Sequence, residues 1–283
     1  MMRRVLLSGV VAVCGGCGGQ VGKQTGPGDG TMAEDAPIAD TPVLHRLTTV
    51  QLRNSVAALF EDDGLPPVVL PAEIPVGPFR NQALTRDATP FLVESLQRSL
   101  DAVAEAVVDS GWSGCTDDDT EACGRDALAD LLPRAWRRPV TAEEVLWIGE
   151  AYSGWHGELG HAAAMRLALG VVLQSPDFLY LTEVGDPARQ ADGVRSLTEH
   201  ELAARLSYLI WSAPPDAELR GLADDGALSE PDVLRAQAMR MIQDRRSHEA
   251  LLEFHRQWLG AGYATEVDPD YEALGDTLLT DEE

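Results

Sequence analysis

Three times in this chain a threonine stands three residues ahead of a glutamine or glutamate, and an apolar stripe of helical period follows. The pairs are Thr48 with Gln51, Thr141 with Glu144, and Thr198 with Glu201. In such a box the threonine hydroxyl accepts a bond from the third residue's N–H, while that residue's side chain accepts from the threonine N–H. Two donors that a helix start leaves unpaired are thereby satisfied together. After the first box Leu52, Val56, Leu59 and Phe60 recur on one face, until Gly64 and Pro66-Pro67 stop the helix. The same spacing predicts a helix from Pro90 to Asp109, burying Phe91, Leu92, Leu96, Leu100, Val103 and Val107, with Gly111 as its stop. Arg125 to Trp136 and Thr141 to Tyr152 read as helices parted by Pro139. Leu159 to Gln174 is Ala-rich, reads as a buried central helix, and ends at Ser175-Pro176. The third box opens a helix carrying Leu202, Leu206, Leu209 and Ile210 before Pro214-Pro215, and Pro231 to Gln243 and Ser247 to Leu259 complete the set. No stretch has the two-residue alternation or β-branched density of a sheet. The expected fold is all-α, helical hairpins and small bundles in two packed subdomains joined by the polar stretch 185–195, with 65–89 as an ordered loop.

The N-terminus obeys different rules. Met1-Met2-Arg3-Arg4 is a basic start, and Val5 to Val13 is an apolar run too short for a membrane-spanning helix, which needs about 20 residues. Gly15-Gly16 then lead into Cys17, and the whole resembles a bacterial lipoprotein signal. That resemblance implies a signal peptide over 1–16 and lipid on Cys17; a plain secretory leader cut nearby is the alternative. Cys14 and Cys17 have zinc or haem spacing, but no His follows Cys17 and no further ligands lie at zinc spacing. Residues 17–42 are Gly, Pro, Thr, Asp and Ala with few large apolar side chains, the composition of a disordered tether.

Asp and Glu number 46 against 22 Lys and Arg, a net charge of −24, and loss of Arg3 and Arg4 with the leader takes the mature chain to −26. Such a field repels nucleic acid, so no nucleic-acid partner is expected. The remaining cysteines, Cys115 and Cys123, flank a short acidic loop, and in an exported chain they are expected to oxidise to each other. Closing so small a loop stabilises by about 2.5 kcal/mol on the chain-entropy model. Asp117, Asp118, Asp119 and Glu121 offer oxygen donors for calcium, but the loop lacks the alternating ligands and central Gly of an EF-hand, and a solvated charge run is the favoured reading.

Three phrases carry a family resemblance. "HRLTTVQLRNSVAALF" (45–60), "CGRDALADLLPRAWRRPVTAEEV" with "AMRLALGVVLQSPDFLYL" (123–145 and 165–181), and the long stretch from Leu197 to Gly260 are similar to consecutive planctomycete-specific domains, numbers three, five and four in that series. The implied boundaries are 43–111, 112–184 and 197–283, the last incomplete at its C-terminus. These are domains of unknown function in large exported bacterial proteins that often carry haem-c domains. The resemblance implies company with a haem-c or other envelope protein and a membrane attachment through the lipid anchor. It implies no chemistry at numbered residues, and this chain holds no Cys-x-x-Cys-His of its own.

Residues that tempt a functional reading are few. Arg134, Arg137 and Arg138 around Trp136 could form an anion patch, since guanidinium forks fit phosphate and carboxylate; pairing with Glu143 and Glu144 across the Pro139 turn is the favoured reading. His248 and His255 share a helix face without a completing carboxylate, and His156, His161 and His200 read as structural or solvated. Tyr208, Trp211, Phe254 and Trp258 read as core anchors, though an exposed Trp211 beside Pro214-Pro215 would mark a binding groove. There is no Gly-x-Ser-x-Gly elbow and no phosphate loop. No catalytic residue, metal or cofactor is assigned. The expectation is a cell-envelope lipoprotein serving as a non-catalytic interaction or support module beside haem-c or other redox proteins. The alternative is an exported hydrolase or oxidoreductase using cleft carboxylates on a polymer.

Overall fold

In the computed structural model, residues 44–72, 88–113, 115, 121–191 and 194–260 are described, all within one compact unit spanning 39–283. The leader, the tether, Cys17 and Asp117 to Asp119 lie outside the described residues. The three boxes all form. Thr48 caps α1 (Thr49–Phe60), Thr141 caps α4 (Ala142–Leu159) and Thr198 caps α7 (Glu199–Trp211), each with reciprocal bonds to the residue three ahead. α1 ends one residue after Phe60, where Glu61 turns left-handed, so the expected Gly64 and Pro66 stops are not needed. Thr89 caps α2 (Pro90–Asp109), in which Pro90 occupies the first turn where its missing N–H costs nothing. α3 (Glu121–Trp136) carries Cys123, one half of the disulfide, in its first turn, and α5 (His161–Leu173) is separated from α4 only by Gly160 at φ 80°. Gln174 closes α5, and the next residue, Ser175, caps the short α6 (Pro176–Leu179). The set is completed by α8 (Ala217–Asp224), α9 (Pro231–Gln243) and α10 (Arg246–Trp258).

The fold is all-α, with helix over 67% of the described residues. Its strands are two-residue fragments: β1 (His45–Arg46) pairs antiparallel with β2 (Tyr180–Leu181), and β3 (Gln190–Ala191) with β4 (Val194–Arg195). The first pair brings the start of the folded region against the turn after α6. The second makes a small hairpin of part of the polar linker.

Two apolar clusters carry the helices. The larger is built from α1 to α6 and has α5 at its centre, packed on α2, α3 and α4, with Met165, Ala168, Leu169, Val172 and Leu173 essentially without solvent contact. Each of the Met, Leu and Val side chains among them stabilises by roughly 1.5–3 kcal/mol relative to exposure. The smaller cluster joins Ala203 and Trp211 of α7 to Leu219, Ala223, Leu228 and Met241. Tyr208, on α7, belongs to the first cluster and so ties the two together. At Gly124 the backbone of α3 meets α4 so closely that a Cβ would stand 2.2 Å from the Tyr152 hydroxyl. Only glycine fits there.

Several assigned faces differ. Phe91 is exposed, because α2 turns Leu92, Ser95 and Leu96 inward in its first turns. Leu209 is 75% exposed, since α7 buries Ala203, Ala204, Ser207, Tyr208 and Trp211, while Leu202, Leu206 and Ile210 sit at the edge. Small residues let α7 approach its neighbours closely, and the large leucines are displaced to the flanks.

Candidate functional site

α3 ends in the Trp136-Arg137-Arg138 turn, and the three side chains part company. Arg137 takes a left-handed φ of 57°, a conformation that costs a non-glycine residue about 1–2 kcal/mol. Its guanidinium compensates. It is 7% exposed, donates from Nη2 to the carbonyls of Asp177, Phe178 and Tyr180, and donates from Nη1 to the Ala135 carbonyl and the Tyr208 hydroxyl. The rings of Phe178 and Tyr208 lie 5.8 and 5.6 Å from its central carbon. A buried cation held by carbonyl dipoles and ring faces, with no carboxylate, is unusual. It stitches the end of α3, the α6 turn, β2 and α7 into one node.

Arg138 swings the other way. It bonds both oxygens of Glu144, at 2.7 and 3.1 Å, and Oδ1 of Asp177, at 3.0 and 3.1 Å. Those Arg138 bonds, reinforced by the Thr141 box against a small burial penalty, lower the Glu144 carboxyl to about 2. Pairing across the Pro139 turn is thus realised for Arg138 and Glu144 alone. Arg134 instead donates to the Leu59 carbonyl at 2.7 Å and approaches Glu61 at 3.5 Å.

Two hollows flank this node. A cleft of about 480 Å³ lies between the α3–α4 turn, the stretch from Tyr180 to Gly185 and the start of α7, walled by Trp136, Arg138, Thr198 and Ala204. Its three carboxylates are already committed. Asp177 holds Arg138, Glu183 holds Arg205, and Glu201 accepts the N–H groups of Val184, Gly185 and Thr198. Gly185, at φ 73°, lets the chain pass Arg195 where a Cβ would come within 2.6 Å. The second hollow, a groove of about 540 Å³, runs between β1, the first turns of α1, α7 and α10.

α10 is built inside out. Its half-buried positions are Ala250, Glu253 and Gln257, while Leu251, Leu252, Phe254, Trp258 and the following Leu259 are exposed. Phe254 and Trp258, expected in the core, stack on each other at the surface with centroids 6.1 Å apart. Trp211, by contrast, lies in the core as the sequence leads one to expect. It is buried, donates to the Met241 carbonyl at 2.9 Å, and is covered by Arg246, 3.5 Å from its ring centroid.

Cys115 and Cys123 are joined by a disulfide that closes the loop ahead of α3. Beside it Ser113 Oγ lies 3.4 Å from His161 Nε2, and His161 Nδ1 lies 2.9 Å from the Tyr152 hydroxyl. His200 pairs with Asp224 at 2.8 Å, and His248 and His255 are exposed on α10. Among the described residues no three His, Cys, Asp or Glu side chains converge as a metal site, and no helix is long and apolar enough to cross a membrane. The Tyr208 hydroxyl that accepts from Arg137 also meets the Ser55 hydroxyl, and this three-residue contact carries no signature in the sequence. Its members are far apart in the chain and individually ordinary.

Residues 123–183 match the family model PSD5, a protein of unknown function (DUF1595), and residues 197–280 match PSD4, a protein of unknown function (DUF1592). Neither match extends to residues 45–60, the segment likened to domain three. No curated protein and no solved structure matches the chain.

Proposed function

The chain carries the PSD5 and PSD4 domains in that order, and we propose that it is an exported envelope lipoprotein, anchored through Cys17, whose helical body docks another envelope protein and performs no turnover. The observation that carries this reading is α10, which rests on the body by a polar stripe and presents aliphatic and aromatic side chains outward. Clustered Leu, Phe and Trp on a surface is the composition of interface centres, not of solvated helices. The Cys115–Cys123 disulfide supports an oxidising compartment. The partner class we propose is a haem-c or other redox protein of the envelope, in keeping with the company of these domains. The enzyme reading asks for a carboxyl free to take or give a proton in the cleft, and Asp177, Glu183 and Glu201 are each spent on an arginine or on backbone donors.

The test is capture from detergent-solubilised envelopes with the full chain and its L252E/W258E variant, followed by haem staining. Enrichment over a control lipoprotein, lost in the variant, is expected. Absence of haem enrichment removes the redox association, and undiminished capture by the variant removes α10 from it. C17S is expected to leave the membrane fraction; if it stays, the lipid anchor is rejected.

A further inference from the structure

Arg134 and Arg137 of the sequence's arginine cluster face a third cavity, of about 240 Å³, where Arg220 of α8 and Arg246 of α10 join them. Among the described residues, the carboxylates on its walls are Glu61 and Asp216. In a chain where acidic residues outnumber basic ones about two to one, four guanidiniums against two carboxylates is an inversion. The carboxylates do little to quench it. Glu61 is 84% exposed and 3.5 Å from Arg134, and Asp216 bonds Arg240 at 2.8 and 3.2 Å and the Leu219 N–H at 3.0 Å. Arg246 is held mainly by Asp244 and lies 3.7 Å from Asp216. Arg137 has only carbonyls, a hydroxyl and two rings around it. Arg220 makes a single hydrogen bond, to the Pro215 carbonyl at 2.8 Å, and no ion pair.

We propose that this cavity is a binding site for a doubly charged tetrahedral oxyanion, a phosphate or sulfate group, gripped by Arg134 and Arg220 with buried Arg137 behind them. The formal balance of the walls is +2, which a dianion neutralises and a carboxylate only halves. The volume accepts a phosphoryl group and leaves room for a small ester substituent. Arg134 and Arg220 each keep several N–H donors after their one carbonyl bond, in the planar fork that grips tetrahedral oxygens in pairs. Burial, and then the repelling charge of Arg134, outweigh the attraction of Asp216, Asp224 and Glu61 and hold the Arg220 guanidinium below its ordinary value, so a bound anion adds the charge this cation lacks. The site joins the ends of α1 and α3 to the starts of α8 and α10, spanning the PSD5 and PSD4 matches, and uses none of the exposed apolar residues of α10.

Isothermal titration of the full chain at low ionic strength, with inorganic phosphate, inorganic sulfate and glycerol phosphate, tests it. Saturable one-to-one binding of at least one is expected, weakened at least tenfold in R220Q and in R134Q. Tighter binding of the ester than of either free anion assigns the site to an esterified group; equal or tighter binding of a free anion assigns it to that anion. Without ligand, R220Q should melt close to wild type, because removing a charge repelled by Arg134 offsets the lost bond to the Pro215 carbonyl, and should lose the rise in melting temperature that the anion gives. R134Q also loses its bond to Leu59, so if it fails to fold, R220Q decides alone. No binding of any of the three, equal affinity in R220Q, or the same response to chloride at matched ionic strength overturns the proposal.

Discussion

The hydroxyls of Ser55 and Tyr208 lie 2.6 Å apart, buried, although 153 positions separate them in the chain. The direction of the bond follows from proton counting. Ser55 gives its one hydroxyl proton to the Gln51 carbonyl at 2.6 Å, so Tyr208 donates to Ser55 and accepts from Arg137 Nη1 at 3.4 Å. A directed chain runs from a cation through two hydroxyls to the backbone of α1, and it crosses α3, α7 and α1. Asn54 adds a second tie between the same helices, donating to the Ser212 carbonyl at 3.1 Å.

Tyr208→Phe keeps the ring under Arg137 and removes only the relay. It leaves Arg137 one acceptor short and Ser55 one donor short among buried side chains, an expected loss of about 1–3 kcal/mol. Urea unfolding followed by far-UV circular dichroism and by tryptophan fluorescence measures it. Because the node joins both apolar clusters, the two probes should shift together; a shift confined to one would show that the clusters unfold separately.

The Glu144 carboxyl is lowered from 4.5 to about 2, first by its bonds from Arg138, and the Asp244 carboxyl from 3.8 to about 2, first by its bond from Arg246. A depressed folded-state value means that the unfolded chain binds the proton more readily. The stabilisation is therefore complete above about pH 5 and is lost as pH falls from there toward 2. Both groups are partly solvated, so screening reduces each contribution to about 1 kcal/mol. Chemical unfolding between pH 6 and 2.5 should show the decline, and E144Q should flatten it. An unchanged slope in E144Q would place the acid sensitivity elsewhere.

Reduction of Cys115–Cys123 should lower the unfolding free energy by about 2–3 kcal/mol on the loop-entropy model, read from urea curves with and without reductant. Native protein should resist a thiol reagent at both positions until reduced. Ready labelling of native Cys115 would contradict the bond.

Helix positions and their caps were legible because they are local: a threonine and a residue three ahead suffice to start α1, α4 and α7, and Pro90 and Pro231 stand in the first turns of α2 and α9. Faces were less so. Periodicity finds an apolar stripe but not what it meets, so Leu209 and Phe254 were assigned inward although α7 is buried through alanines and α10 through a polar stripe. α8 escaped notice because its eight residues bury only Leu219 and Ala223. The arginines around Trp136 were visible as a group. Their division between an ion-pair network at Arg138 and a cationic cavity at Arg134 and Arg137 depends on Arg220 and Asp177, which only the tertiary fold brings near.

A helix that is apolar outward makes an unusual mutational forecast. In an ordinary amphipathic helix, replacing the large apolar residues by glutamate is ruinous, because it buries a charge at a cost of several kcal/mol. On α10 the side chains of Leu252 and Trp258 are 55% and 59% exposed, so L252E and W258E should each change stability by no more than about 0.5 kcal/mol. Glu253→Leu and Gln257→Leu, on the half-buried stripe, should by contrast be felt, since Gln257 donates to Glu253 at 2.7 Å and both line the groove against α7. Thermal unfolding of the four single variants gives the comparison. If the glutamate substitutions prove the costlier pair, the outward face is covered within the free protein, and α10 is a core helix with no docking role.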